Sequence, residues 1–429
     1  MSKAADQLIA RRRSALGPSY THFYDKPLYL VKGEGVWLFD DEGNKYLDCY
    51  NNVPSVGHCN PRVVAALTEQ ASTLNTHTRY LHHSIVEYAE TLVATLPGEL
   101  SVCAFVCTGS EANDLAYRIA RSVTGNDGIA MTADAYHGNT TLVSEISSGY
   151  ERKRPKPSFV EEILPPYTYR GPWGVDDPDV WGKYAGTADA AHKKLEASGH
   201  GLAAQIIDHS FDNRGVLTPD PAYFKSVYAK ARAAGGLVIA DEVQAGLCRL
   251  GDNMWGFMDA GVVPDIVTMG KPMGAGHPLA IVVTTPDIAE KFAEETNYFN
   301  TFGGNPVSCS VGKAVLDEVE RMDLMKNAHE TGLKLRAGFD ELAEKYSIIG
   351  EVRGKGLFYG IELVRDRESK EPASEETINI VESLRLDGVL ISVVGEFKNI
   401  LKIRPALIFA SEHADILLNK LEKQLSKHC

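Results

Sequence analysis

The chain has 429 residues, a formal net charge of −13, and 44% hydrophobic and 24% charged residues. This length and composition predict a globular protein with a large domain and a smaller one. The excess of acidic residues argues against a nucleic-acid partner, since binding phosphate backbones requires clustered Lys and Arg. No stretch approaches the roughly 18 consecutive apolar residues of a membrane span, so we expect no membrane partner.

Residues 1–60 predict peripheral, β-rich structure. The basic run at residues 11–13 indicates the solvated face of a short helix. Asp6 interrupts any transit-peptide pattern, so we expect a cytoplasmic protein. Further on, VWLFD and KYLDCY flank DEGN, in which Gly43 supplies a hairpin turn. The seven cysteines are scattered without a CxxC pair, which indicates reduced thiols and no zinc site.

From residue 61 onward, helical and strand-like segments alternate. Short apolar runs predict buried strands at VCAFVC, GIAMTA, LAAQIID, GLVIADEV, DIVTMG and PLAIVVTT. Strands alternating with helices predict an α/β fold with a mostly parallel sheet. We assign residues 61–305 to this large domain.

After residue 306 the pattern changes to a long amphipathic helix with a break near Asp323. Two strands follow in IIGEVRGKGLFYGIELV, turning at a glycine-rich step, and a last strand, NILKIRPALIF, precedes a helix that begins at Ser411. Residues 306–429 together with residues 1–60 therefore predict a smaller α+β domain formed by both chain ends.

The segment VCTGSEANDLAYRIARS predicts an anion site. A strand runs into Thr108, Gly109 and Ser110, and a helix from about Glu111 directs its free N–H groups toward the turn. Gly109 permits close approach of a phosphate and Ser110 adds a hydroxyl. A plain strand-to-helix connection with Ser110 as the cap explains the same residues. The turn is not G-x-G-x-x-G, which disfavours a dinucleotide fold.

Two further side chains end apolar strands. Asp241 closes GLVIAD, where ligands of open α/β sheets bind, although it could equally pair with Arg249. Lys271 in TMGKPMGAGHP follows the next strand, and a partly desolvated lysine can condense with an aldehyde. Taken alone, such a lysine is most often an ordinary surface residue.

Together, the phosphate turn, Asp241 and Lys271 meet the requirements of pyridoxal 5'-phosphate: an anchor for the phosphate, a partner for a protonated ring nitrogen, and a holder for the aldehyde. A non-catalytic cofactor-binding protein and a nicotinamide dehydrogenase are the alternatives from other classes. The first gives Lys271 no reason for its placement, and the second lacks its glycine fingerprint.

The motifs TGSEAN, AYHGNT, DEVQAG, MGKPMGAGHP, NTFGGNP and KIRPAL, in this order, resemble the class III aminotransferases, which are fold-type I pyridoxal-phosphate enzymes. The resemblance implies that Lys271 carries the cofactor, that Asp241 pairs with its ring nitrogen, and that Thr301 reaches the cofactor phosphate of a partner subunit, so the protein would be a homodimer with shared sites. The implied cofactor contacts are Gly109, Ser110, Tyr136, His137, Asp241, Val243, Gln244, Lys271 and Thr301.

Three stretches resemble the phospho-lyases of this family more than its ordinary transaminases: YLDCYNNVPSVGHCNPRVV, NTHTRYLHHSIVEYAETLVATLP and NYFNTFGGNPVSC. They imply elimination of phosphate from O-phosphoethanolamine, giving acetaldehyde, ammonia and phosphate. Such a reaction requires a second anion site, for which Arg79 is the first candidate, Arg404 the second and Tyr50 a neutral donor. Arg79 would equally suit an exposed ion pair, and Tyr50 would suit core packing.

Other activities fit the same residues. Arg404 matches the arginine that transaminases use on a substrate carboxylate, which implies an ω-aminotransferase acting with a 2-keto acid, or a phospho-lyase acting on 5-phosphohydroxylysine. Two positions depart from the family pattern: Asp208 stands where most relatives carry a glutamate, and Cys248 where they carry glycine. The usual contact of that glutamate with an arginine near the substrate is therefore in doubt.

Overall fold

A computed structural model describes residues 3–149 and 155–428. Its helices are α1 (Lys3–Leu16), α2 (Pro61–Thr73), α3 (His83–Val93), α4 (Gly109–Thr124), α5 (Thr141–Glu145), α6 (Val180–Ala197), α7 (Pro221–Ala233), α8 (Gly256–Asp259), α9 (Pro286–Glu295), α10 (Pro306–Arg321), α11 (Leu324–Lys345), α12 (Ser374–Leu386) and α13 (Ser411–His428). Two short 3₁₀ helices span Asp212–Arg214 and Lys271–Gly274.

The strands are β1 (Leu30–Glu34), β2 (Trp37–Asp40), β3 (Lys45–Asp48), β4 (Val102–Val106), β5 (Gly128–Thr132), β6 (Val160–Ile163), β7 (Leu202–Asp208), β8 (Leu237–Asp241), β9 (Ile266–Met269), β10 (Ala280–Thr284), β11 (Ile349–Lys355), β12 (Phe358–Asp366), β13 (Glu371–Pro372), β14 (Val389–Leu390), β15 (Ser392–Val394) and β16 (Ile400–Ile403).

The central sheet has seven strands in the order β4-β10-β9-β8-β7-β5-β6. The neighbours from β9 to β6 are parallel, and β10 is antiparallel to both β4 and β9. This confirms the predicted α/β fold with a mostly parallel sheet. The apolar runs predicted six of its strands, whereas β6 was missed because its sequence, VEEI, carries two charged residues among four.

Helices cover both faces of this sheet, which is why its inner strands are largely apolar. In β5, Ile129 and Met131 pack in one core cluster with α4, while Ala130 packs in another with α6 and α7. The carboxyl ends of β7, β8 and β9 therefore meet at one edge of the sheet, between two layers of helices.

Both chain ends contribute to the smaller region. The predicted hairpin is present as β2 and β3, with Gly43 at φ 84°, and β14 from the C-terminal part pairs in parallel with β3. A second sheet has the order β11-β12-β16-β15, with β13 pairing β12. The helix break near Asp323 is confirmed, since α10 and α11 meet there at φ 50°. The boundaries at residues 60 and 305 stay a prediction.

Within residues 3–149 and 155–428, no helix is long and apolar enough to cross a membrane. The six cysteines in those residues are free thiols, and Cys429 lies outside them. No cluster of potential metal ligands occurs in the same part of the chain.

Candidate active site

Three acidic or basic side chains meet where neighbouring strands end. Asp208 ends β7 and lies directly opposite Asp241, the last residue of β8. Asp241 in turn lies opposite Thr268 of β9, and Lys271 follows after Met269 and Gly270. The predicted convergence of Asp241 and Lys271 from adjacent strands is therefore present at the sheet edge where open α/β folds bind ligands.

The turn before α4 differs in one detail from the sequence interpretation. The helix begins at Gly109, and its N-cap is Thr108, whose side chain accepts from Glu111 N–H while the Glu111 carboxylate accepts from Thr108 N–H. Ser110 is thus not the cap, because this reciprocal capping box satisfies the helix end without it. Ser110 Oγ instead accepts from Asn139 N–H at 3.1 Å.

The same turn keeps N–H groups available for an anion. Of the first helical N–H groups, Glu111 N–H is bonded to Thr108, and no described residue accepts from Gly109 or Ser110 N–H. A Cβ at Gly109 would lie 3.0 Å from Val243 Cγ2, and one at Gly270 would lie 3.2 Å from the Gly109 Cα. Backbone and Val243 are therefore packed so closely here that a side chain at Gly109 or Gly270 would require its neighbours to shift.

Asp241 is buried and held by three donors. Its Oδ1 accepts from Val243 N–H at 3.1 Å, and its Oδ2 accepts from Asn113 Nδ2 at 2.9 Å and lies 2.8 Å from His137 Nδ1. Asn113 also donates to the His137 carbonyl and accepts from Thr268 Oγ1, so it ties α4 to β9. Arg249 does not pair with Asp241, because its guanidinium donates to the carbonyls of Leu357 and Pro405.

Lys271 is half-buried at the start of its 3₁₀ helix, and no hydrogen bond or ion pair to another described residue holds its amine. Burial, and next the positive charge of Arg404, lower the pKa of Lys271 below its usual range, while Asp212, Asp241 and Asp208 oppose this shift. Such an amine loses its proton more readily than an exposed lysine and is the better nucleophile and base.

Among the predicted substrate residues, Arg404 is the one whose charge affects the pKa of Lys271. It is buried, its Nε donates to the Tyr50 carbonyl at 3.1 Å, and its NH1 donates to Gln244 Oε1 at 2.6 Å. The guanidinium lies 4.5 Å from the centre of the Tyr50 ring. Tyr50 thus contacts Arg404 through its carbonyl and ring, and Asn52 Nδ2 donates to the same Gln244 oxygen at 2.7 Å.

Two residues of this cluster, Asp212 and Lys402, were not singled out from the sequence. Gln244 Nε2 donates to Asp212 Oδ2 at 2.8 Å, and Lys402 Nζ lies 2.5 Å from Asp212 Oδ1. A signal for Lys402 was present, because a lysine in the apolar strand β16 stands two residues before Arg404 and so on the same face. Asp212 had no signal of its own, since it lies in a loop that only the fold brings to Lys402.

Asp208 contacts no arginine among the described residues. Its carboxylate accepts from Ser210 and from Asp212 N–H, so it shapes the loop that carries Asp212. Burial, with the nearby charges of Asp212 and Asp241, raises the pKa of Asp208 to about 6. The acidic residue of this loop that contacts a basic side chain is Asp212, and its partner is Lys402.

The remaining predicted residues differ in their exposure in the single chain. Arg79 and Thr301 are both exposed, and the Arg79 guanidinium stacks 3.9 Å from the Phe299 ring centre. Tyr136 is 38% exposed, while its neighbour His137 is buried with Nε2 lacking any partner among the described residues. The chain alone therefore does not bring Arg79 or Thr301 to Lys271.

The residues present fit pyridoxal phosphate. A cradle of glycine backbone and helix N–H groups suits a phosphate, the buried Asp241 carboxylate has no Lys or Arg partner among the described residues and suits a protonated ring nitrogen, and the His137 Nε2 atom is unsatisfied. The fold and these side chains define a pyridoxal-phosphate enzyme of fold type I.

Comparisons with known proteins agree. The sequence model of the family Aminotransferase class-III matches residues 19–425. The chain is 36% identical over 423 residues to the Caenorhabditis elegans ethanolamine-phosphate phospho-lyase homolog 1, covering 95% of this chain and 90% of that one. It is 42% identical over 422 residues to the Drosophila melanogaster alanine–glyoxylate aminotransferase 2-like protein, covering 96% and 85%.

Among solved structures, a phospholyase from Arthrobacter in complex with phosphoethanolamine is similar to the chain with a TM-score of 0.95 at 45% identity, covering 98% of this chain and 99% of that one. The chain therefore belongs to the class III aminotransferase family, and its cofactor is pyridoxal phosphate. The family includes both transaminases and phospho-lyases, so membership alone leaves the substrate open.

Proposed function

We propose that this protein is a phospho-lyase that removes phosphate from O-phosphoethanolamine. The observation that carries the proposal is the buried Arg404 beside Lys271, in a chain 45% identical to a phospholyase bound to phosphoethanolamine. In the overall reaction, phosphoethanolamine and one water give acetaldehyde, ammonia and phosphate. The carbon–nitrogen and carbon–oxygen bonds break, and the phosphate leaves with the electron pair of the carbon–oxygen bond.

The cofactor would be held by the residues that line the cleft. Gly109 and Ser110 N–H would donate to its phosphate, Asp241 would face its ring nitrogen, and Val243 would pack under the ring. Tyr136 would stack on the other ring face, His137 would support Asp241, and Gln244 would approach the ring hydroxyl. Bound there, the cofactor supplies an electron-withdrawing ring next to the carbon that bears the substrate nitrogen.

Lys271 would act on that carbon. Its amine, whose pKa is lowered by burial, accepts the proton from the carbon that bears nitrogen. The proton transfer leaves a cation on Nζ beside Arg404, where the negative charge of the departing phosphate needs stabilisation. Expulsion of a phosphate from the neighbouring carbon is thus favoured over return of the proton.

The protein would work as a homodimer. Arg79 stacks on Phe299, two residues before Thr301, so both predicted residues lie on one exposed face of the chain. Large apolar side chains are exposed on the same face, with Leu81 fully exposed at 102%, Phe302 at 71% and Val86 at 53%. Exposed apolar side chains around two predicted site residues favour a protein interface here. A second copy seated there would receive Thr301 at its cofactor phosphate and Arg79 at its substrate.

An ω-aminotransferase is the second candidate. The 42% identity to an alanine–glyoxylate aminotransferase 2-like protein favours it, and Arg404 would bind a carboxylate as readily as a phosphate. A phospho-lyase acting on 5-phosphohydroxylysine is the close variant, since that substrate carries both a phosphate and a carboxylate. The cytoplasmic location also stays a prediction.

The deciding experiment supplies purified holoenzyme with O-phosphoethanolamine and no keto acid. We expect inorganic phosphate and acetaldehyde to form in equal amounts at catalytic rates. Ethanolamine, which lacks the leaving group, and the Lys271→Ala variant are the matched controls. Activity that appears only after pyruvate or 2-oxoglutarate is added would make the protein a transaminase. Turnover of 5-phosphohydroxylysine at much higher kcat/KM would reassign the substrate.

A further inference from the structure

Lys402 is a charged residue in an otherwise apolar strand. It lies in β16, whose four residues, ILKI, are all buried. Burying an ammonium group is costly unless it is paired, and Lys402 Nζ lies 2.5 Å from Asp212 Oδ1. Asp212 is its only recorded partner among residues 3–149 and 155–428. An ammonium has three N–H groups, so two remain for a ligand.

Arg404 adds a second cation to the same place. Its NH1 lies 4.0 Å from Asp212 Oδ2, and the Gln244 side chain joins the two by accepting from Arg404 and donating to Asp212. In the part of the chain that the structure describes, Asp212 is thus the one carboxylate that forms ion pairs with both of these cations. Keeping Lys402 and Arg404 together has a cost, because burial and then Arg404 lower the pKa of Lys402 to about 8.

A purely structural role does not account for this arrangement. One cation would neutralise Asp212, and an apolar residue of similar volume in β16 would avoid burying a second charge. The excess positive charge borders Lys271, whose pKa responds to Arg404 and to Asp212. Clustered cations with unused donors beside a reactive lysine are an arrangement that can bind an anion.

We propose that Lys402, together with Arg404, forms the subsite for the dianionic phosphate of the substrate, and that Asp212 is a positioning residue that holds Lys402 in place. The proposal rests on the proposed function and names the residues of its leaving-group site. Asp212 engages one N–H of Lys402 and leaves the others to phosphate oxygens, and Arg404 contributes through its guanidinium.

The charges explain a preference for phosphate over carboxylate. When the carbon–oxygen bond breaks, a dianionic phosphate ester gains a third negative charge on the leaving oxygen, and the proton that Lys271 took from carbon passes to that oxygen, so the phosphate leaves as a dianion. Lys402 and Arg404 attract this dianion more strongly than a carboxylate, which carries one negative charge. The subsite is therefore most stable when it contains a dianion at the moment the carbon–oxygen bond breaks.

The test measures binding of inorganic phosphate to the holoenzyme by calorimetry, alongside KM and kcat for O-phosphoethanolamine. We expect Lys402→Met to weaken phosphate binding by about 30-fold or more, the effect of truncating one partner of a buried charge pair, and to raise KM in parallel. Lys402→Arg keeps the charge and should retain most of the affinity. Lys355→Met, which removes a lysine paired with Asp252 and Asp259 outside the cluster, is the control.

A double variant, Asp212→Asn with Lys402→Met, separates binding from damage. It leaves no unpaired carboxylate, yet we expect phosphate binding to stay weak because the cation is gone. Recovery of wild-type affinity in this double variant would overturn the proposal, since the loss in Lys402→Met would then come from the unpaired Asp212 alone. Wild-type phosphate affinity in Lys402→Met would overturn it as well.

These outcomes are distinct from failure of the proposed function. If the wild-type holoenzyme binds inorganic phosphate through Lys402 but releases none from O-phosphoethanolamine, the subsite stands and the phospho-lyase activity falls. If phosphate is released at catalytic rates and Lys402→Met binds phosphate like wild type, the activity stands and the subsite falls.

Discussion

The two ends of the candidate active site, at Asp241 and at Asp212, carry opposite charge arrangements. At one end, the buried Asp241 is held by Asn113, His137 and a backbone N–H, with no Lys or Arg contact among the described residues. At the other end, the buried Asp212 lies between Lys402 and Arg404. The first end lacks a cation, and the second has one in excess.

This difference in charge would determine how a cofactor and a substrate are oriented in the site. A cofactor with a protonated ring nitrogen would supply the missing cation at Asp241, and a substrate with an anionic tail would supply the missing anion at Lys402 and Arg404. Lys271 lies between the two ends and serves any reaction that starts by proton removal. The cofactor end is thus common to several chemistries, and the anion end separates them.

The largest effect is expected from removing the group between the two ends. Lys271→Ala should reduce phosphate release by roughly 10³-fold or more, because it removes the amine that is proposed to take the substrate proton. The cofactor should still bind through Gly109, Ser110 and Asp241, which absorbance of the dialysed protein would report. Lys355→Ala serves as the control, and retention of full turnover by Lys271→Ala would contradict the assignment.

The second largest effect tests whether the anion end of the site also needs Arg79. Arg79→Ala should weaken kcat/KM for O-phosphoethanolamine by 2 to 5 kcal/mol, about what loss of one partner of a buried charge pair costs. Arg118→Ala is the matched control, because Arg118 is also exposed and lies over a phenylalanine ring, that of Phe292. An unchanged kcat/KM would remove Arg79 from the site.

Mixed dimers extend that prediction. Neither Lys271→Ala nor Arg79→Ala homodimers should be fully active, but a dimer that combines one subunit of each has one site with both residues intact if Arg79 acts across the interface. We expect mixing, after dissociation and reassociation, to restore activity. Activity no higher than the average of the two homodimers would mean that Arg79 acts within its own chain or not at all.

A smaller effect tests whether Thr301 contributes to the cofactor end of the site. Thr301→Val removes a hydroxyl at nearly constant volume and should weaken cofactor binding by about 1.5 to 3 kcal/mol, the range for a hydrogen bond to a charged group. Fluorescence titration of the apoenzyme with pyridoxal phosphate gives the dissociation constant. Thr301→Ser keeps the hydroxyl and should bind like wild type, and equal affinity in all three proteins would exclude the contact.

The smallest effect concerns pH. Burial lowers the pKa of Lys402 to about 8, so the amine that binds an anion is charged below that pH and loses its charge above it. Binding of methyl phosphate, whose second pKa is about 6 and which therefore stays dianionic, should weaken by up to about tenfold per pH unit above 8. Lys402→Arg should flatten this profile, and an identical decline in both proteins would assign the titration to another group, such as Lys271.

Most of the fold could be predicted from sequence because apolar runs and breakers act locally. The runs predicted the core strands, and Gly43 and Asp323 marked a turn and a helix break that the structure confirms. Strand β6 escaped because two glutamates mask its pattern. Ser110 was wrong as a cap because Thr108 and Glu111 together cap the same helix end, and only the backbone geometry decides whether Thr108 or Ser110 is the N-cap.

By itself, the sequence determined the family and predicted the cofactor end, since Gly109, Asp241 and Lys271 each lie at or just after the end of a strand that an apolar run marks. Only the tertiary structure placed Asp212, from a loop after β7, against Lys402 in β16. These residues are far apart in the chain: Asp212 follows a strand of the central sheet, whereas Lys402 lies in a strand of the second sheet. Their pairing depends on how the sheets pack, which local patterns do not encode, and so the anion end of the site emerged only from the folded chain.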